Sequence, residues 1–172
     1  SKVINKEKIE LIHNGSNINP SSYQTKKFII SYFGLINKFR DPKVLIDVID
    51  ELLSENNEIK EKFEFHVYGN IQPSTINYLK LKKNLIKSLK INSFISFKKL
   101  QNRLDSSSVL LLLLNNNETQ NTTPYKIFDY LVSERPILTL SNFKNPDVEY
   151  LLKKYKRNST IGYDDRKGIK DF

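Results

Sequence analysis

Apolar positions along the chain switch between two periods. Phe28-Ile29-Ile30-Ser31-Tyr32-Phe33 is a short β-rich run that stops at Gly34, and Phe63 to Tyr68 is another, ending at Gly69-Asn70. Val109 to Leu114 is continuously apolar, the pattern of a strand covered on both faces. Ile9 to Ile12, Phe94 to Phe97, Pro136 to Leu140 and Ser159 to Gly162 read as further strands. Between them the spacing becomes helical. Val44, Leu45, Val48, Ile49, Leu52 and Leu53 form one amphipathic stripe, which Asp41-Pro42 opens with Asp as N-cap and Pro at the first helical position. Tyr78, Leu81, Leu85, Ile86 and Leu89 predict a second helix. Lys99–Asp105, Pro124–Ser133 and Asp147–Tyr155 predict three more, and another begins at Gly168.

Strand–helix–strand repetition at this pitch predicts an α/β fold, Rossmann-like, with a parallel sheet between two helical layers. Ligands of such sheets sit at the carboxyl ends of the strands, near a topological switch point. The loops that matter are therefore Gly34 to Arg40, Gly69 to Pro73, Phe97 to Lys99 and Asn115 to Lys126. Nothing along the 172 residues reads as a linker, so one domain is expected over residues 1–172.

Composition removes many chemistries. The chain has no Cys, which excludes disulfides, thiol catalysis and zinc ribbons, and its two His, His13 and His66, cannot build a His-rich metal site. With five Gly it holds neither Gly-x-x-x-x-Gly-Lys-Ser/Thr nor Gly-x-Gly-x-x-Gly, and no Gly-x-Ser-x-Gly elbow. No apolar run is long enough to span a bilayer. Met is absent even at the start, the mark of a piece of a longer protein.

What remains is anion chemistry in two loops. Lys38 and Arg40 stand just before a helix, where free N–H groups and the helix dipole attract anions, and Arg40 has the geometry for a bidentate phosphate contact. Solvated surface charge is the competing reading. Lys126 falls about two residues inside the helix expected from Pro124, where a cation opposes the dipole by ~0.3–1 kcal/mol. A bound anion would offset that. Asp129 and Tyr130 share its face, opposite the core stripe of Ile127, Phe128, Leu131 and Val132, and the Asp129 carboxylate suits two ribose hydroxyls. A surface Lys126–Asp129 pair is the competing reading.

The stretch Thr123-Pro124-Tyr125-Lys126-Ile127-Phe128-Asp129-Tyr130-Leu131, running on to Arg135-Pro136-Ile137, resembles the Pro-x-Lys-x-Phe-Glu-Tyr-Leu-Ala-x-Gly-Lys-Pro-Ile segment of family 4 glycosyltransferases with the GT-B fold. Asn14-Gly15-Ser16-Asn17 is similar to the Asn-Gly-x-Asp that opens their carboxyl-terminal domain. Gly34, Lys38 and Arg40-Asp41-Pro42 are similar to their phosphate loop. The similarity covers nearly the whole chain as the donor half of a two-domain enzyme whose amino-terminal acceptor domain is missing.

The resemblance implies sugar transfer from a nucleotide-sugar, usually with retention, with no cofactor and no obligatory metal. Catalysis would rest on stabilising the departing diphosphate through Arg40 and Lys126. Gly34, Lys38, Arg40, Asn121, Thr122, Thr123, Pro124, Lys126 and Asp129 would bind the donor, with phosphate at Lys126 and the backbone of Thr122–Pro124, and ribose at Asp129. Asp129 stands where Glu is usual, Asn121 where many members place a sugar-contacting Glu, Leu35 where a basic residue is frequent, and Glu134 at the Gly of the Gly-Lys-Pro turn. Cell-surface polysaccharide synthesis in the cytoplasm is the expected setting, and the isolated fragment is expected to turn nothing over.

Charge adds one more feature. Lys+Arg 28 against Asp+Glu 19 gives +9, and Lys80 to Arg103 carries eight basic residues with no acidic one. An anionic membrane, met peripherally at its inner face, is a partner this run would suit. Abundant Asn, Lys and Ile with no Ala point to codon bias as a simpler source of the lysines. A basic α/β module binding nucleic acid or a protein without catalysis is the alternative function, although no RNA-binding aromatic signature accompanies the run and nucleic acid is disfavoured. His66 reads as a packed strand residue, and His13 as a turn residue near the domain entrance.

Overall fold

The computed structural model describes residues 15–19, 26–116 and 122–172. Strands β1 (Phe28–Phe33), β2 (Phe63–Tyr68), β3 (Leu89–Asn92), β4 (Val109–Leu113) and β5 (Ile137–Leu140) form one sheet in the order β3-β2-β1-β4-β5. Every pairing between them is parallel. The strands start at the sheet's centre with β1, build outward through β2 to β3, and then return to the other side of β1 as β4. The reversal puts a switch point between the carboxyl ends of β1 and β4, where loops diverge and a crevice opens.

Helices cover both faces, giving the three-layer architecture. On one side α1 (Lys43–Glu55), α3 (Pro73–Lys80), α4 (Leu85–Ser88) and α8 (Arg166–Asp171) bury Leu45, Ile49, Leu79, Leu85 and Ile169 against Tyr32, Phe65 and Leu111. On the other, α5 (Phe97–Asp105), α6 (Lys126–Val132) and α7 (Pro146–Lys154) pack Leu104, Ile127, Leu131 and Leu151 against Leu110 and Leu112. All five residues of β4 are buried. Each such Leu contributes roughly 1.5–3 kcal/mol of transfer free energy, so the strand that forms one wall of the switch point is also firmly anchored.

Several boundaries differ from the sequence expectation. Pro42, not Asp41, is the N-cap of α1, and no side chain caps that helix. Asp41 turns aside instead, accepting from Gln72 Nε2 at 3.3 Å and lying 3.5 Å from Lys43 Nζ. The second expected helix is two, α3 and α4, and Leu89 already belongs to β3. The third strand is therefore Leu89–Asn92 rather than Phe94–Phe97. Its register with β2 runs from Phe65–Leu89 to Tyr68–Asn92.

An unforeseen helix, α2 (Asn57–Lys62), is capped by the Asn56 side chain. The expected strand at Ser159–Gly162 is reduced to a single bridge between Ile161 and Leu140. Glu134 adopts φ 60°, a left-handed conformation that costs an L-residue about 1 kcal/mol. The strand expected at Ile9–Ile12, and His13, lie outside the described residues.

Candidate functional site

The crevice floor is made by two glycines at adjoining strand ends. Gly34 follows β1 and Gly69 follows β2, with φ values of 146° and 143°. Gly34 N donates to Tyr68 O at 2.9 Å and Gly69 N to Asn92 O at 3.0 Å, so the ladders run on for one residue beyond the strands. A Cβ on Gly69 would stand 2.1 Å from Gly34 O. A Cβ on Gly34 would stand 2.7 Å from Lys126 Nζ and 3.2 Å from Tyr32 Oη. Glycine is thus required at 69 by the neighbouring backbone and at 34 by its positive φ, where a Cβ would also press on the movable end of Lys126.

That cation is set by long-range packing. Lys126 is the first residue of α6, which begins two residues later than expected from Pro124. Its ammonium donates to Phe33 O at 2.6 Å and lies 4.7 Å from the centre of the Tyr32 ring. Burial lowers its pKa from 10.5 to about 8, and the nearby Arg40 guanidinium adds to the shift. The same Arg40 lies beside the Tyr32 hydroxyl, whose pKa burial pushes up to about 12 while Arg40 pulls the other way. Tyr32 Oη donates to Leu35 O at 2.9 Å, tethering the loop that carries Arg40.

Arg40, in the loop after β1, and Lys126, at the start of α6, therefore lie near one another at the switch point. Arg40 Nε is buried without a hydrogen-bond partner. Among the described residues neither cation makes an ion pair with a carboxylate.

Asp129 does not pair with Lys126. It is buried in α6 and accepts from Ser16 Oγ at 2.6 Å, while Ile18 N donates to the same hydroxyl at 3.1 Å. Burial raises the Asp129 pKa, and the Ser16 bond counters it. Ser16 is thus a partner of the candidate residue Asp129 that sequence reasoning passes over, although the Asn14-Gly15-Ser16-Asn17 stretch points to its neighbourhood. Tyr125 Oη joins the same contact by donating to Gly15 O at 3.1 Å. Tyr130, expected on the Lys126 face, is buried with its hydroxyl 3.4 Å from Leu111 O and belongs to the core.

Thr122, Thr123 and Pro124 precede α6 and are steadied by the start of α7. Asn145 Nδ2 donates to Thr122 O at 3.3 Å, and Thr123 Oγ1 to Asp147 Oδ2 at 3.3 Å. Lys38 is exposed, its ammonium 4.8 Å from the Phe39 ring, and no contact brings it to Lys126. Asn121 lies outside the described residues. His66 is half-buried mid-strand, its Nε2 2.7 Å from Glu64 Oε2 and its Nδ1 3.1 Å from Tyr68 Oη. Among the described residues no cluster of three or more His, Asp or Glu is placed to hold a metal ion. None of the described helices is long and apolar enough to cross a membrane.

No protein-family model and no curated protein sequence matches the chain. Solved structures do. The crystal structure of TarM superposes with a TM-score of 0.65 at 17% identity, over 95% of this chain and 32% of that one. WaaG, a glycosyltransferase involved in lipopolysaccharide biosynthesis, gives 0.61 at 12% identity over 85% and 36%. The carboxyl-terminal domain of LpcC, a glycosyl transferase group 1 protein from Francisella tularensis, gives 0.58 at 14% identity over 90% and 74%. A mutant of S. aureus TarM, with a TM-score of 0.65 at 16% identity over 95% and 32%, is solved in complex with UDP, α-GlcNAc-glycerol and fondaparinux. The chain thus spans about a third of TarM and of WaaG. These likenesses establish that it has the Rossmann-like α/β fold of a glycosyltransferase domain.

Proposed function

We propose that the chain is the donor-nucleotide domain, the carboxyl-terminal half, of a GT-B glycosyltransferase of the family 4 type, and that the cleft between Arg40 and Lys126 takes the diphosphate of a nucleotide-sugar. One observation carries this. Two cations are brought together across the switch point, one with its ammonium buried and its pKa driven down to about 8, and no carboxylate pairs with either among the described residues. The Phe33 carbonyl and the Tyr32 ring hold the ammonium, but the repulsion between the two cations is a cost that an entering anion would offset. TarM, of like fold, is solved with UDP, which supports a nucleoside diphosphate as that anion.

In this reading Arg40 and Lys126 stabilise the charge that grows on the leaving diphosphate as the glycosidic bond breaks. The uncapped start of α1 and the backbone of Thr122–Pro124 add N–H donors, and Asp129, held by Ser16, takes the ribose hydroxyls. No side chain of this half acts as nucleophile. Acceptor contacts belong to the other half of the enzyme, so the chain alone binds without turnover. Synthesis of a cell-surface polysaccharide is the setting proposed. Titrating the chain with UDP, GDP and ADP while following amide chemical shifts tests the reading. Shifts clustered at Gly34–Arg40 and Lys126–Asp129 are expected. Saturating nucleotide that moves none of those amides would overturn it.

A further inference from the structure

We infer that the β3 edge of the sheet is a docking surface for an anionic membrane, a proposal that does not rest on the donor reading. Lys80–Arg103 holds eight basic residues and no acidic one, while the remaining twenty basic residues of the chain stand against 19 acidic. Nearly all of the net charge of +9 is therefore concentrated in this one segment. Codon bias would spread lysine along the whole chain, and it does not explain such concentration.

The topology turns this run of sequence into one surface. β3 is the edge strand, with α4 beside it on one face of the sheet and α5 on the other. The segment passes from one helical layer, over the open edge, to the opposite layer. Asp105, which follows the segment in α5, is buried, and three other carboxylates that meet the segment or its neighbouring strand are already engaged. Asp47 pairs with Lys82 at 2.5 Å, Asp50 accepts from the N–H groups of Asn84 and Leu85, and Glu64 binds Lys27 and His66. Lys80, Lys83, Lys87, Lys90, Lys98 and Lys99 have no acidic partner among the described residues.

Large apolar side chains are interleaved with these cations and face water. Leu81 is 72% exposed, Phe94 62%, Phe97 57%, Ile91 50% and Ile86 37%. Cations alone would suit any polyanion. Cations mixed with exposed aliphatic and aromatic groups suit a bilayer interface, where headgroups neutralise the lysines and the apolar groups enter the acyl boundary. A nucleic acid would stack on Phe94 and Phe97 at most and offers nothing to Leu81, Ile86 or Ile91, whereas a bilayer interface takes all five.

The test is co-sedimentation of the chain with phosphatidylcholine vesicles, with and without phosphatidylglycerol. The expected result is binding that requires phosphatidylglycerol. Each lysine contributes about fivefold, so Lys83→Gln, Lys87→Gln and Lys90→Gln together should weaken it on the order of 100-fold. Lys144→Gln, Lys153→Gln and Lys154→Gln, on the β5 side, should leave it within a factor of about ten. Ile91→Ser with Phe97→Ser should abolish the part of the binding that survives high salt. Thermal melting of each variant checks that it is folded. Equal partition to both vesicle types, or equal losses for the two lysine sets, would overturn the proposal. So would tighter binding to a single-stranded oligonucleotide that the two Ser substitutions leave unchanged.

Discussion

Replacing Lys126 by Met should make the empty domain more stable, and the size of the gain follows from the burial of the ammonium. A pKa lowered from 10.5 to about 8 means that the charged form is disfavoured in the folded state by about 3 kcal/mol below pH 8. Met keeps the length and apolar stem of the side chain but loses the hydrogen bond to Phe33 O, worth about 1 kcal/mol. The expected net gain at pH 7 is about 2 kcal/mol, read from urea denaturation of both proteins.

The pH dependence supplies the sharper check. Between the folded value of about 8 and the unfolded value of 10.5, the unfolded chain binds more protons at Lys126, so wild-type stability rises with pH in that window. From pH ~7 to ~9.5 the gap between the two proteins should close by about 2 kcal/mol. A diphosphate in the cleft would raise the Lys126 pKa, so nucleotide binding near pH ~9 should take up close to one proton. Calorimetry in buffers of different ionisation enthalpy measures that, and the Met variant should show no such uptake. A variant less stable than wild type at pH ~7, or a gap that does not change with pH, would refute the reasoning.

Two further outcomes follow from the site's geometry. Gly69→Ala places a methyl group 2.1 Å from Gly34 O at φ 143°, and should cost at least about 3 kcal/mol in chemical denaturation; a loss below about 1 kcal/mol would show that the two strand ends do not approach as described. Because burial raises the Asp129 pKa above its ordinary 3.8, ionisation of this carboxyl opposes folding, and stability contributed by its protonated form is lost as pH rises from about 4 through the folded value. Asp129→Asn should flatten that decline, and Ser16→Ala, which removes the 2.6 Å bond to the carboxylate, should steepen it; parallel pH curves for all three proteins would contradict the assignment.

The elements legible in the sequence are those whose pattern is local and whose burial is one-sided or complete. The stripe from Val44 to Leu53 marks α1, and the unbroken apolar run at Val109 marks β4. Leu89-Lys90-Ile91-Asn92 is harder, because Leu85 and Leu89 at i, i+4 imitate a helix while an edge strand buries too little to show a clean period of two. Asp41 fails as a cap because Gln72, thirty-one residues away, offers a competing partner. Helix-start logic singles out Lys126 and Arg40 as candidate anion ligands, yet their environment is not readable from the chain. The carbonyl that holds Lys126 is 93 positions distant, and the hydroxyl that holds Asp129 is 113. Contacts of that separation leave no trace in a local window.

Several local rules are broken where β1 and β4 part. A lysine opens a short helix where the dipole disfavours it, the longest of the described helices has no side-chain cap, the Arg40 Nε is buried without a partner, and two strand ends meet through glycines at positive φ. Such departures are not confined to this place: Arg157 Nε and Thr139 Oγ1 are also buried without a partner, α3, α4 and α5 have no side-chain cap, and Glu134 and Lys156 take positive φ. What sets the switch point apart is the sign of the charge, because the buried Lys126 ammonium lies near the Arg40 guanidinium and its pKa is lowered in consequence. Stability surrendered there as positive charge is stability that a diphosphate would restore on binding.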